Sequence, residues 1–87
     1  MKIIMQPVDM IAHFPLEGLP RPMRFRIMGE EGEYVSIDIE RVLTKAEERI
    51  GKDRWIIYKC ECVVNGQKRL AEFKYEHATC RWLLNKF

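Results

Sequence analysis

The sequence predicts a mainly β domain: a six-stranded antiparallel meander curling into a small barrel or half-barrel, with one short helix near residues 45–50. Three observations point there. Apolar and polar residues alternate with period two along much of the chain. Turn-forming residues interrupt the alternation at short intervals, at residues 15–22, 29–32, 65–66 and 76–79. One slip of phase near Glu40-Arg41 has the signature of a β-bulge, which bends a sheet. A short antiparallel sheet hides its edges most easily by curling.

Residues 8–14 read as the first strand, with Val8, Met10, Ala12 and Phe14 on one face and Asp9, Ile11 and His13 on the other. Pro15, Gly18, Pro20 and Pro22 then force a loop, because proline donates no ladder bond and restricts the residue before it. Residues 23–28 form the second strand. Met23, Phe25 and Ile27 point one way, and Arg24 and Arg26 the other. Gly29-Glu30-Glu31-Gly32 is a turn. In residues 33–43, Val35, Ile37 and Ile39 alternate with Ser36, Asp38 and Glu40. Burial of Val42 rather than Arg41 then requires one extra residue.

Thr44-Lys45-Ala46-Glu47 matches a capping box, which predicts a charged helix of one or two turns ending near Ile50 and stopped by Gly51. Residues 54–64 form the longest strand, rich in Trp, Ile, Tyr and Val. Asn65-Gly66 is the preferred pair for a type I′ hairpin turn, and it fixes a register. Val64 should face Gln67, Cys62 Arg69, Cys60 Ala71, Tyr58 Phe73 and Ile56 Tyr75, with Lys59 opposite Glu72 on the other face. Residues 76–79 turn again. Residues 80–87 form the last strand, with Trp82 and Leu84 on one face and Leu83 and Phe87 on the other.

A chain of 87 residues holds one domain, spanning 1–87, with a thin core. No stretch is apolar enough to span a bilayer as a helix, and the apolar run at Ile3-Ile4-Met5 is too short for a signal peptide. Three cysteines, two of them one residue apart, do not form the disulfide framework of a small secreted protein, so a cytoplasmic location is expected. The net charge of +2 implies no particular partner, but it is uneven: −2 over residues 1–43 and +4 over residues 44–87.

Cys60, Cys62, His77 and Cys80 have the composition of a zinc site. Neighbours on one strand face stand about 7 Å apart, whereas ligands of one zinc ion lie within about 4 Å, so no metal or other cofactor is expected. The cysteines then read as small buried apolar residues. Ser36, Thr44, Thr79, His13 and His77 form no recognisable catalytic motif, so the domain is expected to be non-enzymatic. Cations suggest more. Arg24 and Arg26 share a strand face, Arg54, Lys74 and Arg81 follow, and Trp55 offers a stacking surface. Curved sheets with basic and aromatic residues bind single-stranded nucleic acid.

Most of the chain resembles a set of short uncharacterised bacterial proteins. The resemblance rests on Pro7-Val8, Met23-Arg24-Phe25-Arg26, Tyr34-Val35 and Arg41-Val42-Leu43, then on Ala71-Glu72-Phe73-Lys74-Tyr75 and Thr79-Cys80-Arg81-Trp82-Leu83-Leu84. It implies a small β-protein of unassigned function, and similar proteins encoded near DNA-repair genes tilt the expectation towards nucleic acid. The leading expectation is therefore a non-enzymatic nucleic-acid-binding module using Arg24, Arg26, Arg54, Lys74, Arg81 and Trp55, with no membrane partner. The alternative is a protein-interaction or self-associating domain that pairs through the edge of its first or last strand.

Overall fold

A computed structural model describes residues 1–87. It contains six strands: β1 (Ile3–His13), β2 (Arg21–Met28), β3 (Tyr34–Ile50), β4 (Asp53–Val64), β5 (Gln67–Glu76) and β6 (Arg81–Lys86). Each strand pairs antiparallel with the next, and β1 pairs with β6, so the meander closes into a barrel. Closure corrects one expectation. The first and last strands cover each other and leave no free edge between them. β1 also begins earlier than the alternation suggested, because residue 3 already pairs with Lys86, and Lys2 and Phe87 exchange two backbone hydrogen bonds of 3.1 and 2.8 Å.

The Asn65-Gly66 hairpin has the predicted register throughout, from Val64 opposite Gln67 to Ile56 opposite Tyr75. Both turn residues have positive φ, 50° and 76°, as a type I′ turn requires. Ile56, Tyr58, Cys60 and Cys62 on β4 face the core with Ala71, Phe73 and Tyr75 on β5. From the other strands come Phe25, Ile37, Ile39, Trp82 and Leu84, with Phe87 just beyond β6. The rings form two groups. Phe25 packs edge-on against Phe73 and Phe87 at one end, and Trp82 packs against Tyr58 and Tyr75 at the other.

Bulges correct the predicted alternation at three further points. β3 slips at Glu40, as expected, which lets Val42 pack against the core, and slips again at Leu43. β2 slips at Met23, so Pro22 is buried in place of the expected Met23. β6 slips at Asn85, so Phe87 turns into the core with Trp82 and Leu84, not away with Leu83. An extra residue of this kind moves everything beyond it to the opposite face.

The helix expected at residues 45–50 is absent. These residues continue β3 and pair with β4, from Thr44 opposite Lys59 to Ile50 opposite Asp53. A capping box contributes about 1 kcal/mol at one helix end. The alternative here is a continuous ladder against a strongly β-forming partner. Gly51, expected to stop the helix, instead opens a two-residue turn with φ of 63°, the first-position glycine of a type II′ hairpin.

Candidate interaction surfaces

β2 and β3 stay together only from Met28 opposite Tyr34 to Arg24 opposite Asp38. Beyond Asp38 they part. Pro20 and Pro22 offer no N–H for a ladder, and the bulges at Glu40 and Leu43 turn β3 away. The loop between β1 and β2 is mostly exposed and reaches the core at its end, where the Tyr58 hydroxyl donates to the carbonyl of buried Pro20; the exposed Phe14 ring stands edge-to-face with Tyr75. Residues 43–50 of β3 therefore have β4 on one side and no strand on the other. No turn or loop hydrogen bond reaches their backbone. All but Glu48 are exposed.

Charged side chains line this edge. Glu47 accepts hydrogen bonds from Arg54 Nε at 2.5 Å and Nη2 at 3.2 Å, and Arg49 stands 3.7 Å from the same carboxylate. The Arg54 guanidinium holds the Glu47 carboxyl below the usual carboxylate range. Arg54, expected to bind phosphate, is thus engaged within its own hairpin.

Arg24 and Arg26 do point outward side by side, but each has a carboxylate partner. Arg24 bonds to Asp38 at 2.5 Å and Arg26 to Asp9 at 2.6 Å. The Arg26 guanidinium also lies 4.1 Å from the Tyr34 ring centre. These arginines sit on β2, and Phe25 between them reaches across the core to Phe73. Lys74, next to Phe73 on β5, leaves the barrel on the opposite wall. The six residues expected to form one basic face are thus divided.

Trp55, Lys74 and Arg81 do come together, on the outer face of β4, β5 and β6. Trp55 opposes Glu76, which opposes Arg81, and in the next row Ile57 opposes Lys74, which opposes Leu83. Glu76 stands between Trp55 and Arg81 and accepts a hydrogen bond from Thr79. Beyond them Glu72, opposite Lys59 as expected, takes a 2.6 Å hydrogen bond from Asn85 and lies 4.0 Å from Lys86. Cation and carboxylate alternate across this wall.

A groove of about 700 Å³ opens where β1 crosses from β6 to β2, bordered by Pro7, Val8, Ile27, Met28 and Tyr34. Cys60 and Cys62 are fully buried in the core, where burial pushes their thiols up to about 12 and about 11, while Cys80 lies on the surface. Thiols held neutral in this way are poor ligands and nucleophiles. No group of three or more His, Cys, Asp or Glu side chains is arranged to hold a metal ion, and no helix is long and apolar enough to cross a membrane.

Sequence reasoning missed the free edge of β3 because it assigned those residues to a helix. The signal was present: Ile50 and Asp53 flank Gly51-Lys52, a Gly-first pair suited to a tight hairpin. No family model matches this chain, and no curated protein or solved structure is significantly similar to it.

Proposed function

We propose that this domain is a non-enzymatic interaction module that recruits another polypeptide strand along residues 43–50 of β3. The observation that carries this reading is the unpaired backbone of that segment, exposed beside an otherwise closed barrel. An edge of this kind offers a row of N–H and C=O groups to an added strand, and β-augmentation uses them for affinity. Its charged side chains restrict which strands fit.

A second reading, binding of single-stranded nucleic acid, draws on Trp55, Lys74 and Arg81, the three expected residues that share a wall. Glu76 lies among them, and the ion-paired Arg24, Arg26 and Arg54 lie elsewhere or are engaged. The edge reading is therefore preferred.

Site-specific photocrosslinking separates the two. A photoreactive side chain in place of Ala46 should give a protein adduct in a lysate of the native host, and one in place of Ile11, on β1, should give none. Absence of an adduct at position 46 overturns the edge reading. Salt-sensitive binding of single-stranded DNA or RNA, weakened by Lys74→Ala and Arg81→Ala, would favour the second.

A further inference from the structure

We infer that the strand this edge takes is the same edge of a second copy, the two pairing antiparallel about a twofold axis at Ala46; the inference rests on the edge reading above. Two identical antiparallel edges related by a twofold axis normal to the sheet must set one residue opposite its own copy. The sequence of the edge, Leu43-Thr44-Lys45-Ala46-Glu47-Glu48-Arg49-Ile50, then allows few registers. An axis at Lys45, Glu47, Glu48 or Arg49 opposes two identical charges. An axis at Leu43 or Thr44 drives the new ladder through the Leu43 bulge, and one at Ile50 leaves almost no overlap.

The axis at Ala46 is free of these faults. The small Ala46 faces itself, Lys45 faces Glu47 of the second copy, and Thr44 faces Glu48. By symmetry each contact occurs twice. Cross-strand pairs of opposite charge stabilise a sheet, and like charges directly opposite destabilise it. Two features of the single chain match this register. Lys45 has no ion-pair partner of its own, although Glu47 holds Arg54 and lies near Arg49. The edge carries two cations, Lys45 and Arg49, and two anions, Glu47 and Glu48, so two copies meet without net repulsion. The charges that would deter indiscriminate pairing thus permit one self-complementary register.

Sedimentation velocity tests this on the full chain, at about 1 to about 500 µM because an edge contact buries less than a standard interface. The wild type should shift from monomer towards dimer as concentration rises. Lys45→Glu should stay monomeric, because it sets two carboxylates opposite each other at both symmetric contacts. Glu47→Lys should stay monomeric for the converse reason. An equimolar mixture of these two variants should recover the dimer, since both contacts across the axis are then attractive. Circular dichroism checks that each variant folds. If Glu47→Lys disturbs the hairpin through loss of the Arg54 contact, Thr44→Glu, which opposes Glu48, replaces it as the monomeric variant.

A wild type that remains monomeric overturns the inference. So does a dimer that survives both Lys45→Glu and the second variant, or folded Lys45→Glu and Glu47→Lys chains that stay apart when mixed. These failures differ from failure of the edge reading. A crosslink from position 46 to a different protein keeps that reading and rejects self-pairing, whereas no crosslink at all rejects both.

Discussion

Tyr58 is fully buried, and its hydroxyl ties β4 to the loop at Pro20. Burial, aided by neighbouring Tyr75 and Cys60, pushes its phenol from 10.0 to about 12. Burial likewise takes Tyr75 from 10.0 to about 12, Cys60 from 9.0 to about 12 and Cys62 from 9.0 to about 11. All four groups are neutral in the core, and their raised values mean that the folded chain keeps protons the unfolded chain releases. Their contribution is therefore complete below about pH 9 and is lost as pH rises towards 11–12. Each group contributes a slope of up to about 1.4 kcal/mol per pH unit. Urea unfolding across this range should show a steep, cooperative alkaline loss. Tyr58→Phe should cost about 1–3 kcal/mol at neutral pH, because it strands a buried carbonyl, and should make the decline above pH 10 shallower. A wild type equally stable at pH 8 and pH 12 would contradict this account of the core.

Two tight turns define the longest elements, and they differ in how far the sequence revealed them. Asn65-Gly66 was legible because its chemistry and the alternation on both sides agree on one register. Gly66→Val should cost about 1–2 kcal/mol or more, since a β-branched residue resists the φ of 76° held there. Thermal melting would read this directly, and an unchanged midpoint would refute the turn assignment. Gly51-Lys52 was obscured because Thr44 and Glu47 satisfy a local helix rule, while the pairing that overrides it involves β4, up to 15 residues away at Lys59. The bulges at Met23, Leu43 and Asn85 were hidden for a related reason. Each is defined by the partner strand, so only the slip at Glu40, which shows within its own strand as misplaced Arg41 and Val42, could be read in advance. At the candidate surface, the outward aim of Arg24 and Arg26 was legible. Their carboxylates were less so: alternation puts Asp38 on the outward face of its own strand, but Asp9 meets Arg26 only because β1 lies against β2.

At the scale of the molecule, the strand count and meander order followed from the turns, whereas closure depends on contacts between the two ends of the chain. Five of the six strand pairings join neighbours in sequence, and β1 with β6 is the exception. That seam has a consequence for the order of folding events. Hairpins between adjacent strands close short loops, but the seam must bring together residues about eighty positions apart, such as Ile3 and Lys86. The β4–β5 hairpin, with its preformed turn, should be ordered in the transition state and the seam should form after it. Gly66→Ala should then slow refolding with little effect on unfolding. Val8→Ala, which trims a side chain opposite Trp82 across the seam, should leave refolding nearly unchanged and speed unfolding. Stopped-flow chevrons would decide the point, and the reverse partition would mean that the ends meet first. On this order the seam is also the gate to unfolding: the barrel's lifetime is set where its ends meet, and its speed of assembly where its best turn lies.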